Sequence, residues 1–405
     1  MRITSSALRC VAPPGILYQS LWVSVMKMKY WLLIAVLAWC SPAIAIDEDE
    51  LATILEEARV ELKMPGLRAA VRFADGRLVR AAVGLADKEA DIPLDNTIGM
   101  PGGSTGKSFV AALAMLLVEE GTLSLDDLAS QWLGDTSWYH RLPNAEEIRV
   151  RHLLSHTSGI ADYPNTISFQ TAMIWRVLRR GSAKFEPEEL IGFVLDKKPL
   201  FPVGEGYRYT DAGYLVLGRL IEAAAGRGYY ELLEDRILQP QMLIEVQVAD
   251  QSVLNNITPG YTGGARNLKK DGRMKFDPSS EWTGGGLTTN PTMLVKFFAA
   301  LAEGRIVEPE SLAQMLDGGW RNPETPEFHY GFGLFVFDGG TTFGHGGMWP
   351  GYRTRVIHHV PSSTTIAVQT NRDGRIDMSA LVTRIAALVP SSQPSRGRTA
   401  VFGQN

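Results

Sequence analysis

The sequence predicts an α+β fold. One antiparallel sheet is built from both chain ends and flanked by helices, with a helical subdomain inserted between. Three observations carry this. Strand-type runs occupy residues 67–83 and return at 333–369, the intervening stretch 122–280 reads mainly as helices and loops, and Phe109 to Val118 is continuously apolar. A helix apolar all round belongs in a core rather than on a surface. No internal repeat is present.

The elements follow in order. Lys27 and Lys29 precede an apolar run from Tyr30 to Trp39, and Ala43-Ile44-Ala45 offers a small-x-small cleavage site. That is the pattern of a secretory signal peptide over residues 1–45, and the run is shorter than the ~20 residues a bilayer span needs. Met26 or Met28 would start a leader of ordinary length, which marks residues 1–25 as an upstream start. Cys40 raises lipid anchoring, but Trp39 stands where a small residue is wanted, so cleavage near Ala45 is the reading adopted. The membrane is then met only through the leader, and the product is secreted or periplasmic. Both cysteines, Cys10 and Cys40, leave with it, so the mature chain has no disulfide and no thiolate chemistry.

The whole chain carries a formal charge of −4, and the leader holds Arg2, Arg9, Lys27 and Lys29 with no acid. The mature protein is therefore more acidic still. No basic cluster is long enough to track a phosphate backbone, which argues against nucleic acid.

Asp47 opens a helical pattern with Leu51, Ile54, Leu55, Ala58 and Leu62 on one face, ended by Pro65-Gly66. Leu67–Phe73 and Arg77–Val83 read as strands joined at Asp75-Gly76, a hairpin signal. Leu215–Ala225 has helical spacing and stops at Gly226. Strands are expected at Gly333–Phe337, Tyr352–Val360 and Thr364–Gln369, then a helix over roughly Met378–Leu388. The folded domain would span 46–390. Residues 391–405, rich in Ser, Pro, Arg and Gly, are expected to be a disordered tail.

Residues 101–108 read Pro-Gly-Gly-Ser-Thr-Gly-Lys-Ser. Gly-Lys-Ser at a helix start suggests a nucleotide-binding P-loop, but that loop needs glycine where Pro101 stands, and proline has no N–H for a phosphate. The remaining reading is Ser-x-x-Lys. Ser104 and Lys107 share one face of a helix start, and the helix dipole favours negative charge on the serine oxygen.

Two further groups stand in order behind it. Tyr207-Arg208-Tyr209-Thr210-Asp211 precedes an apolar helix, and His345-Gly346-Gly347 lies on an expected inner strand, followed by Met348. Glycine inside a strand commonly marks close approach by another backbone or a ligand. His152 and His156 lie four apart, but no Glu follows the first, so a zinc site is not expected. No metal or organic cofactor is expected elsewhere. Of His358-His359 at most one can face inward, and Trp282 and Trp349 are candidate cleft walls.

Ser-x-x-Lys, Tyr-x-Asp and His-x-Gly in this order resemble the serine β-lactamase and penicillin-binding-protein superfamily. The closest branch holds class C β-lactamases, D-Ala-D-Ala carboxypeptidases, D-aminopeptidases and related esterases. Val118–Asp127, Leu153-Leu-Ser-His-Thr-Ser-Gly159 and Gly284-Gly-Gly-Leu287 support it. The resemblance implies a β-lactamase/transpeptidase-like fold and an acyl-enzyme on Ser104. Lys107 and Tyr209 would share the proton work, and the N–H groups of Ser104 and Met348 would form the oxyanion hole. Substrate would lie against Asp211, His345 and Gly347, with Arg353 or Arg355 answering a carboxylate.

Two departures shape the substrate expectation. Asp211 stands where the branch has Asn, and a carboxylate only accepts hydrogen bonds. It would pair with Lys107 and repel anionic substrates. His345 replaces a lysine and is mostly neutral at pH 7. Both lean toward small D-amino-acid peptides, such as peptidoglycan stem peptides, over efficient β-lactam hydrolysis. A short-chain esterase and a weakly catalytic or non-catalytic binding protein remain the alternatives. Oligomeric state has no sequence signal.

Overall fold

The computed structural model describes residues 46–389. The leader and the polar tail, with everything expected of them, lie outside these residues.

Helix α1 (Glu48–Glu61) starts where the sequence places it. Asp47 accepts from the Glu50 N–H at 2.9 Å, and Glu48, Asp49 and Glu50 complement the positive end of the helix. Strands β1 (Gly66–Arg72) and β2 (Leu78–Asp87) form the expected hairpin, and β3 (Ile92–Pro93) adds an edge. A 3-10 turn, Gly103–Thr105, leads into the buried helix α2 (Gly106–Glu119). Helices α3 (Ile167–Arg180) and α4 (Asp211–Ala225) dominate the insert, and α5 (Pro291–Ala302) returns the chain to the sheet. The chain then runs through β4 (Phe328–Tyr330), β5 (Phe335–Phe337), β6 (Thr342–Trp349), β7 (Tyr352–His359) and β8 (Thr364–Thr370), closing with α6 (Met378–Ala386).

The eight strands make one sheet in the order β3-β2-β1-β8-β7-β6-β5-β4, antiparallel throughout. The two chain ends meet where β1 pairs with β8, from Leu67 opposite Thr370 to Arg72 opposite Thr365. The strand period of two then sorts side chains between two cores. Ala69, Val71, Ile366 and Val368 point to the face covered by α1 and α6, packed with Leu51, Leu55, Leu381 and Ile385. Ala70 and Ala367 point to the other face, with Phe109 of α2 and Phe297 of α5, whose rings stack at 3.6 Å. Alanine on this side lets the two helices lie close to the sheet.

Three features differ from the sequence expectation. The strand expected from Gly333 begins only at Phe335, because Gly333 turns with φ +70° against Ala111. Strand β4 and helix α5 were not anticipated, although α5 carries a clear start signal in Asn290-Pro291. The cap of α4 is Thr210, which accepts from Gly213 N–H at 3.3 Å, and this leaves the Asp211 carboxylate free for other work.

Among the described residues no helix is long and apolar enough to cross a membrane.

Candidate active site

The segment 101–108 is not a phosphate loop. Met100-Pro101 pairs with Thr288-Thr289 as a short strand, and Thr105 Oγ1 donates to the Gly102 carbonyl at 2.9 Å. Ser104 therefore sits on a tight turn at the start of a buried helix, held from below by core packing. Gly103 has φ +55°, and a Cβ there would meet the Met348 backbone nitrogen at 2.7 Å. A Cβ on Gly347 would come within 1.8 Å of the Gly102 carbonyl oxygen. Strand β6 thus lies directly against the serine turn, with the Ser104 and Met348 backbones adjacent, as an oxyanion hole would require.

Lys107 has no solvent-exposed surface. Its ammonium donates to Ser104 Oγ at 3.3 Å, to Asp211 Oδ1 at 2.5 Å and to the Gly284 carbonyl. All three of its N–H groups are used, and its Nζ lies 5.0 Å from the centre of the Tyr209 ring. Asp211 keeps about a quarter of its side chain open to solvent, so the pair is buried on the lysine side only. The Tyr209 hydroxyl is buried without a formed hydrogen bond, although Ser104 is near enough to ease its pKa downward. Burial, then the Asp211 carboxylate, outweigh this and push the Tyr209 pKa well above its ordinary value. In the resting site Tyr209 is a phenol and Lys107 is committed to a carboxylate.

Two acids that the sequence reading missed complete the surroundings. Asp162 Oδ1 accepts from the Asp211 N–H at 2.8 Å, and its pKa is raised to about 7 by burial and by Asp211. Glu281 is raised to about 8 by burial, partly offset by Lys107. Neither belongs to a spacing pattern that would single it out. His156, set aside in the sequence as half of a false zinc pair, also lands here. Its Nδ1 accepts from the Thr210 N–H at 3.2 Å, and its ring lies 4.2 Å from that of Tyr209. It fixes the turn that presents Tyr209 and Asp211.

A cleft of about 380 Å³ opens beside the serine, lined by Ser104, Tyr209, His345, Gly347, Met348 and Arg353, with Arg355 at the same wall. Lys107 touches Ser104 from outside this lining, and Asp211 lies behind it, paired with the lysine. Arg353 donates to the Gly374 carbonyl at 2.6 Å, and its Nε is unpaired. Arg355 lies over the Phe337 ring at 5.2 Å, also with a free Nε.

His345 lies at the cleft wall with both ring nitrogens engaged. Its ring is fully buried, its Nδ1–H donates to the Gly346 carbonyl at 2.6 Å, and its Nε2 accepts from the Tyr330 hydroxyl at 3.0 Å. Burial lowers its pKa to about 3, so it stays neutral and has no free nitrogen for a substrate carboxylate. Its work is to anchor β6. Gly347 acts through close backbone packing. Trp282 is a core residue stacked on Arg219 at 4.6 Å, and of the histidine pair on β7 only His358 is buried. Among the described residues no group of three or more His, Cys, Asp or Glu could hold a metal ion.

Comparison with known proteins places this geometry. A family model described as Beta-lactamase matches residues 51–390. Penicillin-binding protein 4* of Bacillus subtilis is 25% identical over 335 residues, 78% of this chain and 70% of that protein. A D-aminopeptidase of Brucella anthropi is 27% identical over 86% of this chain, which spans 64% of that protein's length. The crystal structure of a D-stereospecific amidohydrolase from Streptomyces sp. superposes with a TM-score of 0.72 at 26% identity, covering 83% of this chain and 98% of the other. With the serine, lysine and tyrosine assembled on this fold, the chain belongs to the β-lactamase and penicillin-binding-protein superfamily of serine hydrolases.

Proposed function

We propose that the protein hydrolyses D-aminoacyl amides and short D-peptides bearing a free amino terminus, through an acyl-enzyme on Ser104. The observation that carries this is the Lys107–Asp211 pair at 2.5 Å beside the serine. Where an amide would donate to an acyl-group carbonyl, Asp211 offers a carboxylate about a quarter open to solvent, with a second acid, Asp162, bonded to its backbone. A carboxylate there attracts an ammonium and repels an anion. The D-aminopeptidase and D-stereospecific amidohydrolase relatives are consistent with such substrates.

Acylation starts as Ser104 Oγ attacks the amide carbon. The serine proton passes to Lys107 Nζ while Lys107 hands a proton to Asp211, so the lysine relays rather than stores it. The developing oxyanion is met by the Ser104 and Met348 N–H groups. The C–N bond then breaks, and the leaving amine takes the proton back from Asp211 through Lys107. Water then attacks the ester, and its proton passes by the same relay to the departing Ser104 Oγ as the acid is released. The leader supports export, which would put peptidoglycan stem peptides within reach, and fractionation of the producing cell tests that location.

The test is turnover of D-alanine amide against N-acetyl-D-alanine amide. The free amine should be preferred by about 10-fold or more in kcat/KM, roughly 1.4 kcal/mol. Equal turnover of both, or preference for the acetylated amide, sinks the ammonium reading. Turnover retained by Ser104→Ala sinks the acyl-enzyme itself.

A further inference from the structure

Helix α3 is unlike the other long helices in that none of its residues is buried. Phe169, Met173 and Val177 lean on the core. The opposite side is also apolar, with Ile167 83% exposed, Leu178 77%, and Ile174 and Trp175 each 55%. At about 100° per residue, Ile167, Ile174 and Leu178 fall within roughly 40° of one another, with Trp175 on their flank. They form one ridge, about 16 Å long at ~1.5 Å per residue.

The charge on this helix is one-sided. Its sequence, ISFQTAMIWRVLRR, holds three arginines and no acid, in a chain of net charge −4. Arg176 is engaged with Glu189 at 2.7 Å. Arg179 lies over the Trp175 ring at 4.8 Å, and among the described residues neither Arg179 nor Arg180 has an ion-pair partner. Lys269 brings a further cation to the same end, its Nζ 2.9 Å from where a Cβ on Gly181 would lie.

We propose that α3 docks on an anionic lipid surface. Ile167, Ile174 and Leu178 enter the boundary between headgroups and acyl chains, Trp175 sits at headgroup depth, and Arg179, next round the helix from Trp175, meets the lipid phosphates, with Arg180 and Lys269 adding positive charge at the same end. Charge complementarity selects this occupant. Basic residues are drawn to such a surface, and neutral lipid would leave them unanswered. Pairing α3 with its copy in a second chain would put six arginines on two helices that hold no acid. The chain entering α3 comes from the active site, since Asp162, which holds the Asp211 N–H, lies five residues before the helix.

Co-sedimentation of the full chain with vesicles tests this, comparing phosphatidylcholine alone with phosphatidylcholine mixed with phosphatidylglycerol. The leader is the same in every variant, so differences between variants report α3. The wild type should bind the phosphatidylglycerol vesicles, with a blue shift in tryptophan emission that Trp175→Tyr removes. Ile174→Ser/Leu178→Ser and Arg179→Glu/Arg180→Glu should each weaken binding by about 10-fold or more, at unchanged thermal midpoint. The readout needs no turnover, so it stands or falls apart from the amidase reading. Equal binding to both vesicle types, or ridge variants that bind as the wild type does, overturns the proposal. So does a wild-type dimer in sedimentation velocity that Ile174→Ser/Leu178→Ser dissolves.

Discussion

Asp211 decides how the catalytic lysine is used. Asparagine in its place could donate to an acyl-group carbonyl, and Lys107 would lose its ionic partner while keeping Ser104 and Gly284. Asp211→Asn should therefore reduce the preference for free over acetylated amines by about 10-fold. It should also speed acylation by benzylpenicillin, read as the mass of the intact protein plus drug. A variant that keeps the wild-type preference and still resists the drug would remove Asp211 from substrate selection. Glu281 gives a pH signature. In the unfolded chain it ionises above about 4.5, whereas in the fold it holds its proton to about 8. Between those values the folded state binds the extra proton, so its contribution is full below 4.5 and is lost as pH rises through 8. Gln does not titrate. The melting midpoint of Glu281→Gln should gain on the wild type steadily from pH 5 to pH 8, and a constant difference would show that Glu281 is ionised in the fold.

At the scale of elements, strand β6 and the serine turn form one device. Its existence was legible in His345-Gly346-Gly347, because glycine in an inner strand signals close approach. Its orientation was not. Alternation says that His345 and Gly347 share a face, but only the packed sheet shows that His345 is held by Tyr330 and Gly347 abuts Gly102 where they border the cleft. The two glycines should accordingly behave differently. Gly347→Ala must push β6 away from the Gly102 carbonyl, 1.8 Å from the new methyl, and carry the Met348 N–H with it. A displacement near 1 Å at a reacting centre costs on the order of 100-fold. Gly346→Ala meets only the Arg355 Nη1 end at 3.3 Å, and that side chain can shift. Steady-state kinetics on both variants should show a large loss in kcat/KM for the first and a small one for the second. Similar losses would mean that β6 tolerates movement at the turn.

At the scale of the molecule, much of the plan could be read from periodicity and order: strands at both ends, a buried helix behind the serine, helices between. Contacts that join distant segments could not, since no local pattern marks Asp162, Glu281 or Arg68. Arg68 shows what such a contact does. It reads as an unremarkable polar residue in β1, yet it is fully buried. Its guanidinium donates to the carbonyls of Asp95 at 3.1 Å, Ile98 at 2.6 Å and Thr289 at 3.3 Å, and to Gln369 Oε1 at 2.7 Å. One side chain thus ties β1 to β8, to the segment leading to Ser104 and to the strand paired with Met100-Pro101. Removing it leaves four acceptors unanswered, two of them fully buried, and breaking a buried charged network of this kind costs about 3–5 kcal/mol. The larger core runs without interruption from α2 through the helical insert to β7 and β8. Arg68→Met should therefore lower the midpoint of a single unfolding transition, with circular dichroism and loss of turnover falling together. A separate early transition confined to turnover would mean instead that the insert and the sheet unfold independently, and that Arg68 secures only the approach to the serine.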